Sequence, residues 1–449
     1  MHIKINKGLD LPIEGAPSDT VHPFIDPDII SIDPRQFKTV KPKLSIQEGD
    51  SVRIGDCIFY DKNKNDVKFV STVSGSISSI EYGERRVITN IIIKNDRKYE
   101  YTDFAKISSD SIDRLSSNDA INELCSRGLW PLIRQRPFDI IPDTKSNPKS
   151  IFVNYCSSSP LSSNKNLLFN NSGSFYAGLQ ILGCLSEKKV HLVCDDSTYS
   201  SELSTPEWVK KHLFTGPHPS GNTGIHIHHI DPIDSPDSPV FYISAEDVHA
   251  IGQSILSGKF YNKKIIAVGG NIDDPSHIEI LRSTVINDVV GRFKIKSDSI
   301  FISGNVLSGN ALDINSGHGF YDSSISILAK SLDRPFLGWL KPGFSTFSFS
   351  RSFASYFFNR NKKYTFNNKR YGSHRTIIPF GYWEDVLPID VLPTYLVKSI
   401  LANDIDEMEN LGIYECSPED FALCSYVCQS KVDVSHIIEQ GLDYMMENA

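Results

Sequence analysis

The sequence predicts a multidomain chain that mixes α+β and α/β architecture, and three observations carry that reading. Over residues 41–93, two Gly-Asp turns, Gly49-Asp50 and Gly55-Asp56, punctuate short strands rich in Val and Ile, the layout of a barrel-sandwich like that of biotinyl and lipoyl carriers. Over 150–194, a buried strand, a helix and a second buried strand follow at the spacing of a βαβ unit with a parallel sheet. Over 263–305, a compact β–α–β run of about fifty residues suggests a ubiquitin-like β-grasp.

In the first region, Ser74-Gly75 turns the chain into the alternating Ile77 and Ile80. Carrier domains hold a swinging lysine at a hairpin tip between apolar neighbours. The corresponding hairpin here is Asp61-Lys-Asn-Lys-Asn-Asp66, hydrophilic throughout. Lys62 and Lys64 are candidates for a covalent adduct, but solvated turn lysines are the commoner case. The barrel-sandwich is therefore expected without the carrier chemistry.

The alternation ends after residue 103, and Ser108 to Asn118 reads as a loop leading to a helix from about Asp119 to Ser126, stopped by Gly128. Ser150-Ile-Phe-Val-Asn-Tyr155 and Lys189-Val-His-Leu-Val-Cys194 are the buried strands, with a helix from Gly173 to Leu185 between them. Gly224-Ile-His-Ile-His-His-Ile230 and Pro239-Val-Phe-Tyr-Ile243 fit further strands, and Ala245 to Leu256 fits a helix. Lys263 to Asn271, Asp288 to Phe293 and Ser299 to Asn305 supply the strand, short helix and strand of the third unit. The last sixty or so residues read as helical. Leu396, Val397, Ile400 and Leu401 mark one face, Asp404 with Glu407 resembles a capping box, and Gly412 is a stop.

A chain of 449 residues exceeds one core and divides into about three domains. The net charge of −8 argues against a nucleic-acid partner, which requires a basic surface. The first residues lack the apolar core of a signal peptide, and no apolar run reaches the ~18 residues needed to span a bilayer. The expectation is a soluble, cytoplasmic chain, held at a membrane only by other subunits. Its eight cysteines show no framework spacing, which suits a reducing compartment. Cys424 and Cys428 match cluster-ligand spacing poorly. With Ser417-Pro418-Glu419-Asp420 as a helix start, Phe421, Cys424 and Cys428 fall on one apolar stripe, and core packing is the better reading.

Standard catalytic signatures are missing. Gly252 to Lys259 imitates a phosphate-binding loop, but five residues separate its glycines and Phe260 follows the lysine. The most function-like segment is Thr215-Gly-Pro-His-Pro-Ser-Gly-Asn-Thr-Gly-Ile-His-Ile-His-His229. Its loop residues Gly216, His218, Ser220 and Gly221 are candidates for a ligand or subunit contact. On a strand, His226 and His228 would share a face, a pairing compatible with a metal although no nearby Cys or Glu completes a shell. Arg134 and Arg136 before Pro137-Phe138, and Arg85-Arg86 at a hairpin, are candidate anion contacts, with solvated arginines as the default. Phe344 to Phe353 alternates aromatic and hydroxyl residues over part of its length and suggests a half-buried strand. Phe336–Trp339 and Tyr382–Val386 are apolar, aromatic surfaces that fit a pocket wall or core equally well.

Ordered motifs run nearly end to end: Lys7-Gly-Leu-Asp-Leu-Pro-Ile-Glu-Gly15, Gly83-Glu-Arg-Arg-Val87, Arg136-Pro-Phe-Asp139, Gly216-Pro-His-Pro-Ser-Gly221 with His226-Ile-His228, Ala250-Ile-Gly252, Ile302-Ser-Gly-Asn-Val-Leu-Ser-Gly309, Gly338-Trp-Leu-Lys-Pro-Gly343, Leu387-Pro-Ile-Asp-Val-Leu-Pro-Thr394 and Glu419 to Cys428. Through them the chain resembles the A-subunit family of the sodium-translocating NADH:quinone reductases of bacterial respiratory membranes. It departs from the family pattern at Cys156-Ser-Ser-Ser-Pro-Leu161 and at Gln429.

The resemblance implies a peripheral subunit on the cytoplasmic face of the inner membrane, in a six-subunit complex that couples electron transfer from NADH to ubiquinone with Na⁺ export. It implies other subunits as partners, above all the adjacent B subunit in the membrane. NADH, flavins and iron–sulfur belong to those subunits, ubiquinone lies at or near this chain, and no cofactor is tightly bound to it. It also implies four regions: a barrel-sandwich over 1–104, a Rossmann-like domain over 105–258, an SLBB-like β-grasp over 259–312 and an α+β region ending in helices over 313–449. The family looks like a relative of the flavin-holding subunit of respiratory complex I. Where such relatives carry a glycine-rich loop, this chain reads Gly128-Leu-Trp-Pro-Leu-Ile-Arg-Gln-Arg136, with Trp130 and Leu132 in place of a close backbone approach. The alternative is a chain that itself holds flavin or NADH and passes electrons.

Overall fold

Side chains along a buried strand alternate between two faces, so a strand apolar at every position must be covered on both. Ile151–Tyr155 is apolar at all but Asn154, and with Val190–Cys194, Lys210–Thr215 and Val240–Ser244 it forms a parallel sheet. His2–Lys4 extends one edge in parallel and Arg134–Arg136 closes the other antiparallel. The structure is a computed structural model that describes residues 1–167, 172–199, 203–331, 337, 340–358, 362–369 and 372–448. The expected apolar surface at Phe336, Gly338 and Trp339 lies outside the described residues.

Ile151, Val153 and Tyr155 enter one core with Leu192, Cys194, Phe241 and Ile243; Phe152, Val193, Phe214, Val240 and Tyr242 enter the other. The first face is covered by helices Ser172–Leu185 and Ala245–Ser257. Ser244 caps the second of these, its Oγ accepting from the Asp247 N–H, and Gly258 ends it in the left-handed region. The two helices touch backbone to backbone: a Cβ on Gly252 would lie 1.8 Å from the Ser174 carbonyl oxygen. Gly252, which imitates a phosphate loop in sequence, is therefore a helix-packing residue.

The second face is covered by the helical end of the chain. Helices Tyr382–Val386, Pro393–Ala402, Ala422–Val427 and Val434–Asn448 share a core with Phe152, Phe214 and Tyr242. Leu396, Val397 and Ile400 are buried as expected, while Leu401 is exposed. Asp404 caps Ile405–Asn410 through the Glu407 N–H, and Gly412 is left-handed just after it. Phe421, Cys424 and Cys428 are buried in this core. The helix they belong to starts at Ala422 rather than at Ser417, because the Ser417 hydroxyl donates to Asp420 and closes a turn first.

The third unit is a mixed sheet in the order Asn310–Leu312, Ser299–Ser303, Ser324–Ala329, Lys263–Gly270, Ser276–Leu281, Val21–His22. Ser324–Ala329 runs parallel to Lys263–Gly270 at its centre, and helix Ile286–Val290 packs on it through Ile286, Val289 and Val290. The N-terminal unit holds two small antiparallel sheets, one of Ile29–Ile32, Ile88–Asn95, Gly75–Tyr82 and Ser51–Val52, the other of Pro42–Leu44, Cys57–Asp61 and Lys64–Val70. At its hairpin tip Lys62 is exposed and Lys64 donates to the Ile141 carbonyl.

Two expected strands are not strands. Gly224–Ile230 lies within helix Thr223–Ile230. Its β-branched alternation favours a strand locally, but the Gly/Pro loop before it and the core above Ile225 and Ile227 impose the helix. Phe344–Phe353 has no strand among its described residues. No neighbouring strand offers it a ladder, and its hydroxyls bond to one another instead, Ser348 with Ser350 and Ser350 with Ser352.

Candidate functional site

In a parallel sheet, ligands gather beyond the carboxyl ends of the strands where the strand order reverses. Here the chain runs outward from Ile151–Tyr155 through the 190s to the 210s, then returns to the other side at Val240–Ser244. The reversal lies at the end of Ile151–Tyr155. A cleft of about 1210 Å³ opens there, lined by Arg134, Asp139, Asn154, Ser157, Ser158 and Glu419, with Ser303 to Gly309 of the third unit on its far wall.

The loop Gly216–Asn222 backs this cleft, but only Gly221 and Arg134 of the expected residues line it. The rest of the loop is tied to the chain's own N-terminal segment. Gly216 lies against Ile5, the Leu9 N–H donates to the His218 carbonyl at 2.8 Å, and the His218 N–H donates to Asp10 at 2.9 Å. Ser220 Oγ donates to the Gly216 carbonyl, and Ser158 Oγ accepts from the Gly221 N–H while lying 3.2 Å from His218 Nδ1. His218 is buried, which pushes its imidazole down to about 4.

With the segment helical, the two histidines expected side by side go to different surroundings. His226 is fully buried, its Nε2 bonded at 2.8 Å to the Ser220 carbonyl, and burial pushes it down to about 3. His228 faces the helical end: its Nε2 accepts from the Asp390 N–H, so Nδ1 carries the proton donated to Glu415. Among the described residues no group of three or more His, Cys, Asp or Glu is arranged to hold a metal.

The N-terminus of helix Thr223–Ile230 is the place where the fold would seat an anion. A carboxylate from this chain stands there. Asp420 accepts from the Asn222 side-chain amide at 3.0 Å and from the Ser417 hydroxyl at 2.9 Å. Its Oδ2 would lie 1.9 Å from a Cβ on Gly224, so the glycine is what admits it. Buried Arg136 lies close enough to favour the charged carboxylate, although burial still pushes Asp420 upward. Arg134 stacks over Tyr242 and Tyr321, with centroids 4.6 and 4.4 Å away, and pairs with Asp139, which also accepts from the Tyr242 hydroxyl. Glu419, on the cleft wall, is pushed up to about 7 by burial and by Asp420, against the pull of Arg136 and Arg134. Sequence reasoning takes Glu419 and Asp420 only as a helix start; the motif around them gives no sign that they meet a loop 198 residues earlier.

The Gly128–Arg136 segment is core. Trp130 and Leu132 are buried, and the Trp130 indole N–H donates to the Pro142 carbonyl. A second cleft, of about 670 Å³, is aromatic: Phe347, Phe349, Phe353, Phe366, Tyr382 and Tyr426 line it. Trp383 and Val386 are buried in the core, so of that expected surface Tyr382 is the residue that lines a cleft.

A barrel-sandwich joined to an α/β domain whose anion seat is taken by a side chain defines the class: a multidomain protein of mixed α/β architecture. Family descriptions agree on both domains. Residues 3–96 match the "NqrA N-terminal barrel-sandwich hybrid domain" and 115–260 the "NqrA second alpha/beta domain". The A subunit of the Na(+)-translocating NADH-quinone reductase of Histophilus somni (strain 2336) is 32% identical over 444 residues, 98% of each chain. Those of Yersinia pestis bv. Antiqua (strain Angola) and Haemophilus influenzae (strain 86-028NP) are also 32% identical over 98% of each chain. The chain therefore belongs to the A-subunit family of the Na(+)-translocating NADH-quinone reductases. Among solved structures, an NAD+-reducing [NiFe]-hydrogenase in the H2-reduced state matches at TM-score 0.39 and 12% identity, covering 76% of this chain and 63% of that one. That likeness carries no weight here. No helix among the described residues is long and apolar enough to cross a membrane.

Proposed function

We propose that this chain is a peripheral subunit on the cytoplasmic face of a six-subunit Na⁺-translocating NADH:ubiquinone reductase. It supports quinone reduction and assembly against the adjacent B subunit in the membrane and carries no redox cofactor of its own. Its second domain is Rossmann-like and its third an SLBB-like β-grasp, readings supported by the strand-order reversal and by the central parallel pair Lys263–Gly270 and Ser324–Ala329. The observation that carries the proposal is the Asp420 carboxylate at the helix N-terminus where a phosphate-bearing cofactor would otherwise rest. NADH, flavins and iron–sulfur then belong to the other subunits. Ubiquinone suits the second cleft, where Phe347, Phe349, Phe353 and Tyr382 offer aromatic faces for a planar ring and Asn367, Lys369 and Gln429 offer polar groups for its carbonyls.

The second reading, an electron-transfer subunit holding flavin or NADH, draws on the polar cleft with Arg134 and Ser157 at its wall. Purification of a tagged copy from membranes in mild detergent tests the first reading. Recovery with the other subunits, and a colourless chain once they are removed, is the expected result. Recovery as a lone monomer would overturn it, and yellow colour retained on desalting would favour the second.

A further inference from the structure

Charge is spread unevenly along this acidic chain. Residues 334–383 contain nine Lys and Arg and no Asp or Glu, in a protein whose net charge is −8. The same stretch leaves large apolar side chains in water. Phe357 and Phe358, on the short helix Ser355–Phe358, are 78% and 76% exposed, and Leu340, Phe344, Ile378 and Phe380 are exposed as well. Phe344 and Phe358 lie together, with ring centroids 5.7 Å apart, and Tyr356 lies 5.7 Å from Phe357.

Two of the cations lie beside these rings. The Arg351 guanidinium lies over the Tyr356 ring at 4.9 Å. The Ala354 N–H donates to the Pro342 carbonyl, which brings the neighbouring Lys341 beside the aromatic helix. Lys341, Arg351, Lys363 and Arg375 make no ion pair among the described residues. The face is anchored to the rest of the molecule through Tyr364, which exchanges backbone hydrogen bonds with Pro12 and Glu14. It combines cations that make no ion pair among the described residues with exposed phenyl rings.

We propose that the face carrying Lys341, Phe344, Arg351, Phe357, Phe358 and Lys363 docks onto an anionic phospholipid surface, its cations against the headgroups and Phe357 and Phe358 at the headgroup–acyl boundary. Charge complementarity selects the occupant, because anionic lipid attracts a cluster of cations while phenyl rings gain by leaving water. Nucleic acid would reward the cations and stack the rings, but the acidic remainder of the chain opposes a polyanion that extends beyond the patch. With a flat bilayer the acidic remainder is turned away, and the same asymmetry fixes the orientation. The isolated chain carries this face, so the docking stands apart from assembly with other subunits.

Flotation of the full-length chain with phosphatidylcholine vesicles, with and without phosphatidylglycerol, tests the proposal. Binding at least about tenfold tighter to the anionic vesicles, and weakening as salt is raised, is expected. The variant K341E/R351E/K363E should lose that preference with an unchanged melting curve, and F357S/F358S should weaken binding several-fold while keeping it. Charge reversal at Lys43, Arg86 and Lys98 on the barrel-sandwich should leave binding as it was. Equal binding to both vesicles, full binding by the triple variant, or equal loss in the barrel-sandwich control would overturn the proposal. Binding to a single-stranded oligonucleotide but not to vesicles would assign the face to nucleic acid and overturn it too.

Discussion

The end of the parallel sheet and the basic face of residues 340–380 solve opposite problems. At the sheet end, the Asn222 amide, the Gly221 N–H and the His218 N–H are all met from within, by Asp420, Ser158 and Asp10 of the N-terminal segment. On the basic face, Lys341, Arg351 and Lys363 make no ion pair among the described residues, and Phe357 and Phe358 stand in water. The comparison teaches where to look for outside ligands. The loop at the sheet end satisfies its own donors, whereas the basic face leaves Phe357 and Phe358 in water, the kind of apolar exposure that marks interaction sites.

The internal side of this comparison is sharpest where charge is buried. Arg282 pairs with Asp247 between the third unit and the α/β domain, both side chains almost fully buried. Arg282→Met should cost about 3–5 kcal/mol, because it strands a buried carboxylate, and the denaturant midpoint reads it. Asp420→Ala should cost about 1–3 kcal/mol by leaving the buried Asn222 amide without its carboxylate partner. Gly224→Ala should destabilise in the same direction, since its Cβ would collide with Asp420.

Acid should loosen the same interior. His218 and His249 are pushed down to about 4 and His226 to about 3, all by burial, from an ordinary 6.5. Below 6.5 the unfolded chain takes up protons that the native one refuses. Their stabilisation is therefore complete above 6.5 and is lost as pH falls towards 3–4, by up to about 1.4 kcal/mol per pH unit for each group. Glu419 acts in the other direction: its folded value is raised from 4.5 to about 7, so stability should fall as pH rises through that window. Glu419→Gln should remove this loss, visible as a flatter urea midpoint between pH 5 and 7. At the other extreme, F357S/F358S should shift stability by less than about 0.5 kcal/mol, since both rings already stand in water.

Much of the frame was legible from local pattern. The strands Ile151–Tyr155, Val190–Cys194 and Val240–Ser244 announce themselves as mainly apolar runs, and Ala245–Ser257 as the helix that follows the last of them. Lys210–Thr215 escapes notice because its polar start hides a short strand, and Ser324–Ala329 because its serines dilute the apolar signal. Thr223–Ile230 misleads because β-branched residues at alternating positions imitate a strand while tertiary packing makes them a helix. The seat itself was out of reach, since Asn222 and Asp420 are brought together only by the fold.

The most direct measurement is a calorimetric titration of the purified full-length chain with FMN and with NADH. A sheet end closed by Asp420 predicts no saturable heat from either ligand. Stoichiometric binding of FMN, weakened by substitution of Arg134 on the cleft wall, would contradict it.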